Sequence, residues 1–364
     1  MSDSDSLQEM IWEAQDLPKG LEKMAALEEA IRIADSIKDI EAGYHARIEL
    51  IVSATDNGFK EKAMVAFAWC LSTFDKNPDQ YDCFDILWYF KWILDGSTEF
   101  TSISRERIIG LQDEMEQRLN HFEFSLRPIH YLRMDTFNAM GDFEEAERWF
   151  KEWKKAKRDS IADCRACEKN SEVYFFAAQK KDAKALKLAS LIIDGKMSCS
   201  SVPQTTYGGI VRPLLRLGKI EEATKRHEEC FRMLSGKRDL IGPVSEHLLL
   251  LAHTKNKTKG IRLYEKTLAM VHDSLNDDDR FRFYAACWPF LEMLANNTKR
   301  STRKLRLPSS LPCYREDAKY DPMELSHWFY NQANDLAQRF NQRNGNQYYS
   351  EILQESHELA LAKD

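Results

Sequence analysis

The chain has little of what interrupts a helix. Its 14 glycines and 10 prolines among 364 residues are about half the usual share. Valine occurs only 7 times, whereas Leu, Ala, Glu and Lys are abundant. Few breakers and few β-branched residues disfavour strands and leave helix as the main option. A large excess of one charge is also missing. With 52 Lys and Arg against 58 Asp and Glu the formal net charge is −6, which argues against bulk affinity for nucleic acid. No apolar run approaches the ~20 residues needed to cross a bilayer. The first residues, MSDSDSLQEM, lack the basic and apolar regions of a signal peptide. Eight cysteines are scattered through a long chain, several inside helical patterns, so they read as reduced cytoplasmic thiols and not as a disulfide framework.

Catalytic signatures are missing too. There is no phosphate loop, no GxSxG and no HExxH, and the glycines of YGGIVRP, Gly208 and Gly209, follow no strand pattern. The segment CRAC places Cys164 and Cys167 at metal-ligand spacing, and His227 and Cys230 form an i,i+3 pair. Together they could make a four-ligand site. A single CxxC is a weak signal, however, and His227 and Cys230 fall at core-type positions of a helix, so the reading is ordinary helical thiols with no metal and no cofactor. The basic run KRSTRKLR, 299–306, has no interleaved aromatics and reads as a solvated loop, with a phosphate or acidic-partner contact as its alternative.

What is present is repetition. GDFEEAERWF, 141–150, returns as GKIEEATKRH, 218–227. A glycine suited to ending one helix is followed by a helix with a small residue on its apolar face. Phe143, Ala146, Phe150 and Trp153 lie on one helical face, as do Ile220, Ala223, His227 and Cys230. The same template fits Lys180 with Ala185, Lys255 with Gly260, and Gly58 with Ala63. The small residues Ala146, Ala185, Ala223 and Gly260 recur at 39, 38 and 37 residues. A small residue at a fixed place lets two helices approach closely, and stacked hairpins bury faces that no hairpin covers alone. The expectation is an all-α protein: an acidic disordered tail over 1–9, a helical repeat array over 10–294, a Pro- and Lys/Arg-rich loop over 295–320, and a C-terminal helix pair over 321–364 that caps the array. Asp321 and Pro322 suit the start of that pair, and Gly345 divides it. The aromatic helix FRFYAACWPFLEML, 281–294, is expected to be core.

These units resemble the tetratricopeptide repeat family, and the pattern is similar to the degenerate repeats of bacterial peptide-sensing regulators. The resemblance implies an α-solenoid with a right-handed superhelix, and a concave face lined by the first helix of each pair. Counting back from each turn then points to Tyr131, Asp135 and Asn138, to Asn170 and Tyr174, to Arg212, and to Ser245, with Arg216 as a second candidate to hold a carboxylate. Asn can serve a peptide backbone as donor and acceptor, and Arg can hold a carboxylate at two points. The alternative is that these residues are polar because the face is exposed. The function expected is a non-enzymatic scaffold for a protein or peptide partner, with no membrane and no nucleic acid. The alternatives are a peptide-responsive switch, or a nucleic-acid binder or enzyme whose groups converge without a motif.

Overall fold

The computed structural model describes residues 3–296 and 301–362. It is all-α apart from one two-stranded ribbon, and it divides into two compact units.

The first unit contains α1 (Asp3–Asp16), α2 (Leu21–Ile37), α3 (Ile40–Asp56), α4 (Lys60–Lys76), α5 (Cys83–Ser97), most of α6 (Arg105–His121), the start of α7 (Arg127–Ala139) and the stretch 155–162. The expected tail is largely helix. Leu7, Ile11 and Ala14 are spaced to share one face, and Leu7 and Ile11 join Ala30, Ala34, Ala42 and Ala46 in a small core. Only residues 1 and 2 of the expected tail lie outside the described residues. The main core of this unit holds Leu27, Ile51, Phe67, Phe90, Met115 and Ile129. The 155–162 stretch is tied in by polar contacts. The Arg127 guanidinium donates to the Ala156 carbonyl (2.8 Å), and Lys91 Nζ, 2% exposed as a residue, donates to the Ile161 carbonyl (2.9 Å) and lies 3.5 Å from the Trp88 ring centre.

The second unit takes the rest of α7, then α8 (Phe143–Lys155), α9 (Arg165–Ala178), α10 (Asp182–Ile193), α11 (Gln204–Gly209), α12 (Val211–Arg216), α13 (Ile220–Leu234), α14 (Ile241–His253), α15 (Lys257–His272) and α16 (Asp277–Asn296). After a ribbon pairing β1 (Arg303–Lys304) with β2 (Lys319–Tyr320) come α17 (Pro322–Asn344) and α18 (Tyr348–Leu361). Lys299 and Arg300 of the basic run lie outside the described residues, while Arg303 and Lys304 sit on β1.

The turns show why the unit repeats. Gly141, Lys180, Gly218 and Lys255 all adopt positive φ, at 77°, 57°, 66° and 53°. In each case the next N–H closes back on a carbonyl five residues earlier at 2.9 Å: Asp142 on Phe137, Lys181 on Phe176, Lys219 on Leu214 and Asn256 on Leu251. This is the Schellman ending, which satisfies carbonyls that a helix end would leave bare. Five residues beyond each turn sit Ala146, Ala185, Ala223 and Gly260, the first three at most 1% exposed and Gly260 buried. At Gly260 even an alanine is too large, because an added Cβ would run into the Phe290 ring.

The helix 281–294 is core, with Phe281, Phe283, Phe290 and Leu294 buried. Asp321 caps α17 by accepting from the Met323 N–H (2.8 Å), and Gly345 ends it at φ 74°. The pair α17–α18 packs on α16, and α18 also runs back across the hairpin ends of its unit, an arrangement the sequence does not announce.

Candidate functional site

The first helices of the second unit's hairpins form an inner wall whose polar residues are joined helix to helix. Asp135 accepts from Ser171 Oγ (3.3 Å), Asn170 Oδ1 accepts from Thr206 Oγ1 (2.7 Å), and Arg212 Nε donates to both carboxylate oxygens of Glu246 (2.8 and 3.0 Å). These partners are 36, 36 and 34 residues apart, close to one repeat. The Tyr174 hydroxyl donates to the Thr205 carbonyl (2.7 Å), and burial raises its phenol above the ordinary tyrosine range. A repeated polar position thus becomes a rung between neighbouring hairpins.

Across this wall lies α18. Tyr348 sits against the Gly141 turn, where a Cβ would strike its ring, and packs edge-on to Phe143 at 5.3 Å. Just before α18, Asn346 Nδ2 donates to the Met140 carbonyl (2.8 Å). Halfway along, Glu355 accepts from Arg212 (3.0 Å) and Arg216 (3.3 Å) and pairs with Lys180 (3.2 Å). Arg212 also donates to Ser356 Oγ (2.8 Å), and Arg216 holds Asp182 (2.6 Å) and the Ala177 carbonyl (2.8 Å). Towards the end of α18, His253 Nδ1 meets the Leu359 carbonyl at 2.8 Å, and His357 pairs with Glu292 at 2.8 Å while stacking on Trp288. Burial by itself would push the Glu355 carboxyl up; the charges of Arg212, Arg216 and Lys180 outweigh it and hold the group below its ordinary range.

The eight residues expected to line a partner groove therefore have several placements. Arg212 and Arg216 meet on Glu355 of the chain's own last helix. Asp135, Asn170 and Tyr174 join adjacent hairpins. Asn138 is buried, and Ser245 is 1% exposed with its hydroxyl donating to the Ile241 carbonyl of its own helix (2.7 Å), so neither is free to meet a partner in this arrangement. Tyr131 belongs to the first unit, half-buried against its core. Sequence reasoning missed Glu246, whose signal is its spacing of about one repeat from Arg212, and Glu355, whose role carries no spacing signal.

Two thiol clusters complete the picture. His227 and Cys230 do not join Cys164 and Cys167. They meet His247, with Nδ1 to Nδ1 at 3.2 Å and Cys230 Sγ to His247 Nε2 at 3.3 Å, all three at most 2% exposed. Burial lowers His227 to about 4 and His247 to about 3 and pushes Cys230 up to about 12. All three lie buried among the packed helices of this unit. Cys164 caps α9 by accepting from the Cys167 N–H at 3.3 Å, and Cys199, from the loop after α10, brings a third sulfur to the pair.

Among the described residues no helix is long and apolar enough to cross a membrane. No family model matches the chain, and no curated protein matches it. Among solved structures the chain is similar to the crystal structure of the pentatricopeptide repeat protein PPR10 from maize, at 12% identity and a TM-score of 0.26. The match covers 99% of this chain and 62% of that one, so the chain spans less than two thirds of that protein's length. A likeness of this degree carries no argument about what the chain binds.

Proposed function

We propose that the chain is a non-enzymatic scaffold that binds a protein or peptide through its helical hairpins. One observation supports this reading above the others: the inner wall of the second unit holds a helix, α18, by placing Arg212 and Arg216 on the carboxylate of Glu355. Two guanidiniums fixed by their own carboxylates, Glu246 and Asp182, are a rigid receptor for an acidic side chain. Little ordering cost is added when such a preformed wall receives a helix. The partner chemistry is then an acidic helical segment.

The test is affinity capture on the full chain and on Glu355→Gln, which keeps the side-chain shape and removes its charge. A polypeptide retained at a fixed ratio, and more strongly by the variant, fits the scaffold. Retention of RNA or DNA alone, falling steeply with salt, overturns it.

A second reading, a peptide-responsive switch, is favoured by the same contact. Here α18 is a displaceable occupant, and a short acidic peptide takes its place on the arginine pair. That peptide should stabilise the full chain in a concentration-dependent way. It should also expose Tyr348 and Glu355 to solvent, seen as faster hydrogen exchange along α18. A peptide that stabilises the chain with exchange in α18 unchanged excludes the switch.

A further inference from the structure

The sulfur atoms of Cys164, Cys167 and Cys199 all lie within 4.8 Å of one another. Cys164 and Cys199 are exposed and Cys167 is half-buried, so core packing does not explain their meeting. Two come from the start of α9 and one from a loop 32 residues beyond Cys167. Three features make this more than a crowd of thiols. First, Cys164 stands where a helix prefers Ser, Thr, Asp or Asn, and a neutral thiol is a poor acceptor for that task. A metal-bound thiolate accepts well, and the Cys167 N–H already points at it from 3.3 Å. Second, Cys164 and Cys167 are held by the first turn of α9 with their sulfurs on the same side as Cys199 of the following loop. Third, the 194–203 loop is poor in apolar anchors. Its one buried apolar anchor is Val202, which joins Ala166 and Ile192 in a small cluster flanked by Cys167 and Met197. The Cys199 N–H bond to the Val202 carbonyl (2.9 Å) turns the loop so that Cys199 faces the helix start.

We propose that Cys164, Cys167 and Cys199 form a tris-thiolate site for one Zn²⁺ ion that clamps the α10–α11 loop to the start of α9. A tetrahedral zinc with Zn–S bonds of about 2.3 Å sets sulfurs about 3.8 Å apart, a closure of roughly 1 Å at most from the present spread. A disulfide would use only two of the three sulfurs and needs them at about 2.0 Å. Soft thiolates select zinc over magnesium or calcium. On binding, three S–H bonds break, three S–Zn bonds form and three protons leave to solvent, with no change in oxidation state. The fourth position faces solvent on the exposed side of Cys164 and Cys199 and is taken by water or an outside donor. The clamp is structural: the metal replaces the core that this loop lacks.

The experiment uses the full chain, purified under reducing conditions, stripped with a chelator and titrated with Zn²⁺ against a chromophoric competitor. One ion per chain is expected, with Co²⁺ in its place giving thiolate-to-metal charge-transfer absorption. Cys164→Ser, Cys167→Ser and Cys199→Ser should each weaken uptake at least tenfold, while Cys83→Ser and Cys313→Ser leave it unchanged. Because a variant could fail to fold, a second measurement uses the native chain: Zn²⁺ should protect these three thiols, and no others, from alkylation read by peptide mass spectrometry. No stoichiometric uptake, a cobalt spectrum without sulfur charge transfer, uptake that survives Cys199→Ser in a helical variant, or no protection of the native thiols would each overturn the proposal.

Discussion

Lys255 and Gly218 do the same job with different side chains. Both hold positive φ at a hairpin turn, but for lysine that conformation costs about 1 kcal/mol, because its Cβ crowds the following carbonyl. Lys255 is exposed and its backbone already makes the turn's bonds. Lys255→Gly should therefore stabilise the chain slightly, by up to about 0.5 kcal/mol, because the relief of strain is partly offset by the added freedom of the unfolded glycine. Chemical denaturation measures it; a loss of stability would mean that the turn is not strained. Five residues downstream the demand reverses. Gly260→Ala should destabilise by about 1–3 kcal/mol, since the new methyl meets the Phe290 ring. The small-residue position was legible in the sequence because it recurs at nearly constant spacing. The left-handed lysines were legible only through that same register, since nothing in lysine itself marks a turn.

At the scale of the element, α18 is the informative case. Glu355 is mostly buried, with three cations around it. Glu355→Ala removes a carboxylate and leaves Arg212 and Arg216 with one acidic partner each, so it should cost roughly 2–4 kcal/mol. Combining it with Arg212→Ala should cost less than the sum of the two single changes, and denaturant midpoints of the four proteins measure the coupling. Additivity would mean that the contact contributes nothing of its own. The start and end of this helix were readable from Gly345 and from its apolar spacing. Its destination was not: Arg212 and Glu355 are 143 residues apart, and neither belongs to a repeating pattern shared by both. The third cysteine was hidden for the same reason. Cys164 and Cys167 announce themselves by spacing, whereas Cys199 joins them only once α9 and α10 have packed as a hairpin.

At the scale of the whole molecule, acid sensitivity follows from groups held in the wrong state for low pH. The neutral forms of His227 and His247 are favoured by burial, and Lys259 near His227 adds to the effect. Unfolded, each would bind a proton near pH 6.5; folded, they resist it until about pH 4 and about pH 3. Between those limits the unfolded chain holds more protons, so stability falls as pH falls from about 6.5, by at most about 3 kcal/mol for His227 and about 5 kcal/mol for His247. Glu355, held below its ordinary range, adds a further loss once pH drops under about 4.3, its ordinary unfolded value. Melting temperature should hold from pH 8 to 7 and decline below 6.5, and His247→Gln should flatten the first part of the decline. A flat profile down to pH 5 would show that both histidines titrate normally. The all-α class, the hairpins and the aromatic core helix were readable from composition and period, because local pattern decides them. The two-unit division was not, since 155–162 returns to the first unit through polar contacts such as Lys91 with Ile161 that leave no period behind.

The placement of α18 also bears on how the protein is made. Ribosomes add about 5–20 residues per second. The 143 residues between Arg212 and Glu355 therefore amount to a delay on the order of ten seconds between synthesis of the receptor arginines and synthesis of their cover. Once Glu246 has been made and has fixed Arg212, the arginine pair stands without its own acidic cover until Glu355 follows, and an acidic helix nearby has its best opportunity to be taken up then.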